Sequence, residues 1–139
     1  MLSSAGLRPF LLRCHALAGE ALALGNPGVG AVVVHQNQIV GEGIEMGRSS
    51  GDVTRHAELE AIRAAVQFLK TVDLSDCTLI STHEPCVMCS YVIRFHQVQR
   101  VFFETGVPSV GGVSSKFPVL TDATYWEKKR VPKVEQIIF

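Results

Sequence analysis

The sequence has no excess of charge of either sign: thirteen basic and thirteen acidic side chains cancel. No global field therefore draws the chain toward nucleic acid or a membrane surface. Its one basic cluster, Lys128-Lys129-Arg130 with Lys133 nearby, is the kind of run that usually forms a solvated face. Long apolar runs are also missing, so no stretch is expected to span a bilayer. Residues 1–12 carry Arg8 and several apolar side chains, but Pro9 interrupts them. No continuous apolar core leads there to a small-residue cleavage site, so they do not read as a targeting segment. Cysteine is scarce, and two of the four, Cys14 and Cys77, stand alone in apolar surroundings. These are expected to be buried free thiols, which suits a reducing, cytoplasmic compartment. What the chain does have is a hydrophobic content of 47% over 139 residues. That is enough for one domain, residues 1–139, with a single buried core and no internal repeat.

Periodicity and punctuation give the elements. Phe10 to Leu24 reads as an amphipathic helix with Pro9 in its first turn, ended by Gly25-Asn26-Pro27-Gly28. Val29 to His35 reads as a buried strand, Gln36-Asn37-Gln38 as a turn, and Ile39 to Met46 as a returning strand. Gly41 and Gly43 suggest a bulge in it. A Gly- and Ser-rich loop, 47–54, delivers the chain to a helix from His56 to Leu69, whose stripe is Leu59, Ile62, Ala65, Val66 and Leu69. Cys77 to Ser81 is a short strand, Cys86 to His96 a helix opened by Pro85, and Gln99 to Glu104 another strand. Residues 105–117 are expected to be irregular, 122–129 a short helix, and 134–139 a closing strand or apolar tail. Strands alternating with helices predict a three-layer α/β/α sandwich around one mixed sheet.

The chemistry concentrates in two short stretches, His56-Ala57-Glu58 and Glu84-Pro85-Cys86-Val87-Met88-Cys89. Two cysteines separated by two residues at a helix start project their sulfurs toward one ion. His56 supplies a third ligand and leaves a tetrahedral position for water, the arrangement of a catalytic Zn2+. Zinc lowers the pKa of water to about 7, and Glu58, two residues from the ligand, is the candidate general base and proton shuttle. Read singly, each piece has a bland alternative. A Cys-x-x-Cys also serves redox chemistry or half of a structural zinc knuckle, for which His83 or His96 would be the fourth ligand. Taken jointly, the pieces favour catalysis, with His83 and His96 as non-ligands and His15 and His35 as incidental.

His-x-Glu followed by Pro-Cys-x-x-Cys is the pattern of zinc-dependent base deaminases, and the likeness extends further. Asn26-Pro27-Gly28-Val29-Gly30-Ala31-Val32 with Val40-Gly41-Glu42-Gly43 resembles the first hairpin of the cytidine and deoxycytidylate deaminase superfamily. Arg55-His56-Ala57-Glu58 and the Glu84 to Cys89 stretch resemble guanine deaminases and tRNA adenosine deaminases most closely, and Arg100-Val101-Phe102-Phe103 fits the next strand. Residues 10–105 are covered. The resemblance implies a five-stranded sheet, one Zn2+ per chain, and a homodimer. It further implies that the Ala57 backbone N–H holds a ring substituent, that the Glu84 carbonyl receives the leaving amine, and that Asn26 and Val29 line the pocket. C-terminal aromatics, here Tyr125, Trp126 and Phe139, would close the pocket as a lid or else pack in the core or at a dimer interface.

One position departs from that pattern. Relatives carry asparagine where this chain has Glu45, and an ionised carboxylate only accepts hydrogen bonds. Glu45 is thus a candidate for recognising a ring N–H or an exocyclic amine, unless it is displaced into solvent. The resulting expectation is hydrolytic deamination of a small aminated heterocycle, such as guanine, cytosine or a nucleoside. The alternatives are a tRNA adenosine-to-inosine deaminase, disfavoured because the neutral net charge supplies no evident phosphate-binding surface, and a zinc-binding module without catalysis.

Overall fold

The computed structural model describes residues 4–124, 126 and 129–138. In chain order the elements are α1 (Ser4–Ala23), β1 (Gly30–His35), β2 (Gln38–Ile44), α2 (Gly47–Ser50), α3 (Ala57–Leu69), β3 (Thr78–His83), α4 (Val87–Phe95), β4 (Arg100–Thr105) and β5 (Lys133–Gln136). The strands form one five-stranded sheet in the order β2-β1-β3-β4-β5. β1 runs antiparallel to β2 and β3, whereas β3, β4 and β5 are parallel, so the sheet is mixed.

Alternation along the strands builds two cores. Val32, Val34, Ile80 and Phe102 face α1, where Leu7, Leu11, Cys14 and Leu17 meet them. Ala31, Val33, Leu79 and Val101 face the other way, toward α3 and α4, packing on Ala57, Ala61, Ile62, Ala65 and Ile93. Side chains of period two on the sheet thus join stripes of helical period on both faces, giving the expected α/β/α sandwich. Cys14 and Cys77 are buried free thiols, and burial pushes each up to about 12.

Several boundaries differ from the sequence-based expectation, each for a physical reason. α1 begins at Ser4 rather than Phe10 and carries Pro9 inside it. Leu7 is 4% exposed in the core, and its burial outweighs the backbone hydrogen bond that proline forfeits. The β1–β2 turn is Gln36-Asn37, both at positive φ (50° and 63°), the conformation of a two-residue type I′ hairpin. A bulge does occur in β2, since Val33 pairs Gly41 while Val34 pairs Ile39, leaving Val40 as the extra residue. Gly41 and Gly43 themselves serve packing: a Cβ there would collide with the carbonyl oxygens of Ala61 and Ala57, so the two glycines let α3 lie against β2. The loop at 47–54 contains the one-turn α2. Among the described residues of 122–129 there is no helix. The buried Arg94 guanidinium instead donates to the Val119 and Asp122 carbonyls, each at 2.9 Å, and so fixes an irregular path against α4.

Candidate active site

Two helix starts converge at the carboxyl end of β3. His56 is the N-cap of α3 in an extended conformation, and Cys86 is the N-cap of α4. Both are set there by the local sequence. Pro85 cannot continue a helix backward, and the Cys86 side chain accepts the Cys89 N–H at 3.5 Å, as an N-cap does. The unpaired N–H groups of a helix start favour thiolates in that position.

His56 Nδ1 lies 3.5 Å from Cys86 Sγ and 3.5 Å from Cys89 Sγ. Tetrahedral zinc with Zn–N of about 2.0–2.1 Å and Zn–S of about 2.3 Å requires an N···S separation of about 3.5 Å. The trio therefore fits Zn2+ in identity and spacing, and it forms a cluster able to hold a metal ion. Without a metal, hydrogen bonding to Cys89 outweighs burial and, with His56 helping, holds the Cys86 thiol down at about 4. The same Cys86 contact carries His56 up to about 9, against the effect of its burial. Cys89 is pushed up by its contact with Cys86 and by burial. His83 and His96 are not part of the trio: Nδ1 of His83 meets Thr82 Oγ1 at 2.9 Å, and Nδ1 of His96 meets the Val72 carbonyl at 2.7 Å.

Glu58 is 4% exposed, with Oε2 3.6 Å from Cys89 Sγ and Oε1 accepting the Ser81 hydroxyl at 2.9 Å. Burial raises its pKa, and the Ser81 donation works in the opposite direction. Ser81 went unremarked in the sequence; its signal is its place on β3, one step out of phase with the core residue Ile80.

Glu84, 3% exposed, does more through its side chain than the sequence suggested. Its carboxylate accepts the N–H groups of Val107, Val113 and Ser114 at 2.8–2.9 Å and the Ser114 hydroxyl at 2.6 Å. Burial opposes ionisation, but these donors together hold the pKa below the ordinary carboxylate value. The loop so gathered also pairs with the cysteine turn: Val87 N–H reaches the Val110 carbonyl, and Cys86 bridges to Gly111. At Gly111 a Cβ would collide with the Glu84 carboxylate.

A cavity of about 400 Å³ opens over the trio. Val29, Glu45, Ala57, Glu58 and Glu84 line it, together with Pro27, His83, Val107 and Val110. Asn26 lies behind this wall, buried, with its amide bonded to Ser49 at both ends (2.9 and 2.8 Å). Glu45 faces inward: Oε1 is 3.9 Å from His56 Nε2, and Oε2 accepts the Met46 N–H. Trp126 is not among the lining residues. It stacks on Tyr91 of α4 at 5.2 Å and so does not take the lid role, one of those open to it. Tyr125 and Phe139, the other expected lid residues, lie outside the described residues.

The comparison with known families agrees with this geometry. Residues 7–105 match the cytidine and deoxycytidylate deaminase zinc-binding region, and the chain belongs to that family. It is 39% identical over 120 residues to a tRNA(Ile)-lysidine synthase of Deinococcus radiodurans, covering 81% of this chain but only 21% of that protein. It is 36% identical over 107 residues to a tRNA-specific adenosine deaminase of Aquifex aeolicus, covering 77% of this chain and 71% of the relative. A solved structure from work on A-to-I editing by tRNA:A34 deaminases superposes with a TM-score of 0.85 at 28% identity, covering 93% of this chain and 91% of the other. Guanine deaminase of Bacillus subtilis superposes with a TM-score of 0.68 at 37% identity, over 71% and 64% of the two chains.

These relatives correct one expectation. Nucleic acid, disfavoured above on net charge, is a plausible partner, because the relatives named include proteins of tRNA. A balanced total charge says nothing of how charges are distributed locally, which is where the sequence argument failed. The homodimer implied by resemblance gains no support from these findings. Among the described residues, no helix is long and apolar enough to cross a membrane.

Proposed function

We propose that this chain is a zinc-dependent hydrolytic deaminase that converts an adenine presented in tRNA to hypoxanthine, consuming water and releasing ammonia. The observation that carries the reaction is the placement of buried Glu58 beside the His56, Cys86 and Cys89 trio. Zinc, when bound by those three residues, supplies the Lewis acidity that makes water nucleophilic at neutral pH. Glu58 takes one proton from that water and passes it to a ring nitrogen, then carries the second, from the added hydroxyl, to the amine as its C–N bond breaks. Ser81 holds the carboxylate in line. The Ala57 N–H steadies the ring, the Glu84 carbonyl accepts the leaving amine, Val29 packs on its face, and Asn26 braces the wall through Ser49. The tRNA substrate rests on the adenosine deaminase relatives and on a cavity of about 400 Å³, suited to a base turned out of its stack.

A second reading, a free base such as guanine, has one specific observation behind it. The Glu45 carboxylate lines the cavity, and it suits a ring that presents N–H donors better than the acceptor nitrogens of adenine. The test is to incubate zinc-loaded protein with tRNA transcripts and, separately, with guanine, cytosine and their nucleosides. Inosine would be measured by chromatography and ammonia by a coupled assay, with Glu58→Gln beside each. Inosine in tRNA, lost in the variant, upholds the first reading. Ammonia from a free base alone upholds the second, and silence with bound zinc would leave a non-catalytic zinc module.

A further inference from the structure

We propose that the chain carries a second ligand site, a phosphate-binding cleft at the end of the sheet opposite the metal trio. The strand registers align Val34, Thr78, Arg100 and Lys133 as one row across β1, β3, β4 and β5. That row floors a cavity of about 550 Å³, whose walls include Asn37 and Gln99. Arg100 and Lys133 are direct neighbours on parallel strands, and like charges so placed repel unless something anionic lies between them. Among the described residues, no carboxylate comes within ion-pair distance of either cation. Asp76, also in the wall, is engaged with His35 at 2.8 Å.

Arg100 adds the more specific signal. Its Nε is buried without a hydrogen-bond partner, which costs stability. Its terminal nitrogens are not buried, hold no partner among the described residues, and are the donors that the cleft presents. The guanidinium lies 4.8 Å over the Phe102 ring, a contact that restrains it, and its terminal nitrogens suit an oxyanion. A lysine on β5 alone would be explained as protection of an edge strand. Arg100 is on β4, inside the sheet, where that explanation does not apply. Asn37, Gln99 and Thr78 supply neutral donors around the two charges. Arg100 opens β4 while Thr105, at the other end, pairs with His83 of the candidate active site. At about 3.3 Å per residue the two sites are roughly 17 Å apart along the strand, so this cleft is a separate site rather than an arm of the first.

The ligand chemistry is a phosphate group, from a free nucleotide or from an RNA backbone, and the test separates the sources. Inorganic phosphate, AMP and a short oligoribonucleotide without terminal phosphates would be titrated into the full chain. The readouts are the Arg100 Nε–H signal in a nitrogen–proton NMR spectrum and the Kd. At least one probe is expected to shift that signal, with Arg100→Gln and Lys133→Gln each weakening binding about tenfold or more. Lys133 is exposed, so its variant folds and carries the test should Arg100→Gln fail to do so. Binding by phosphate and AMP assigns the cleft to a free nucleotide, and binding by the oligonucleotide alone assigns it to RNA; either upholds phosphate recognition. An unmoved Nε–H signal with all three probes, or a Kd indifferent to Lys133→Gln, overturns it. Glu58→Gln should bind the same probes as the wild type does, which keeps this test independent of the deaminase reading.

Discussion

The start of α3 and the turn before α4 each bring one buried glutamate to the same cavity wall, and the two are held in opposite states. Glu58 has a single hydroxyl donor and a sulfur nearby, so burial dominates and its pKa rises. Glu84 has four donors from one loop, which overcome the smaller penalty its burial imposes and hold its pKa below the ordinary value. A carboxyl whose pKa is raised takes up a proton more readily than an ordinary one, whereas one saturated with N–H groups is held as an anion. Glu58 is accordingly suited to shuttle a proton, and the Glu84 side chain to tie the 107–114 loop to the cysteine turn.

The largest effect expected from this contrast is in Glu58→Gln. Its turnover should fall about 10²–10⁴-fold, the usual worth of a positioned acid–base group, while zinc content by atomic emission stays at one per chain. If Glu84→Gln lost turnover as deeply with its fold intact, the division between the two glutamates would be wrong. Gly111→Ala comes next. The new Cβ must push the Glu84 carboxylate out of its nest, and a loss of about 1–3 kcal/mol in denaturant unfolding is expected.

Glu84→Gln itself should cost about 1–3 kcal/mol, since an amide cannot accept what a carboxylate accepts. The cost should depend on pH with a definite sign. The folded pKa of Glu84 lies below its unfolded value, so the stabilisation is complete above the unfolded value of about 4.3. It is lost as pH falls through the folded value. Urea unfolding of wild type and variant should therefore differ most near neutrality and converge in acid; a gap that stays constant would show that the carboxylate charge is not what holds the loop. The smallest effect is expected for Ser81→Ala. Removing the hydroxyl takes away a donor that favours the Glu58 anion, so the acid limb of the pH–rate profile should move to higher pH with turnover reduced tenfold or less, as roughly one hydrogen bond would give.

Much of this was legible in the sequence. Spacing paired Cys86 with Cys89, because a Cys-x-x-Cys at a helix start leaves its sulfurs few directions to point, and the likeness to the deaminase pattern joined His56 to them. The layer order followed from strands with apolar neighbours alternating with amphipathic helices. The Glu84 side chain was not legible, because its donors are more than twenty residues away in a loop without periodicity. Gly41 and Gly43 were read as a bulge signal, when their main reason is the close approach of α3. For Trp126 the sequence left open a lid, a core position or a dimer interface, and only the tertiary structure shows its ring stacked on Tyr91 of α4.

By itself the sequence determined the fold class and, through a recognisable motif, the metal-ligand set, because alternating patterns and residue types at fixed places carry both. The tertiary structure decided which glutamate is buried with one donor and which with four. It also decided that Glu45 faces the cavity and that Arg100 and Lys133 stand side by side. Those outcomes depend on the register between strands and on contacts across tens of residues, where hydrogen bonding and burial are set by which surfaces meet rather than by the local chain.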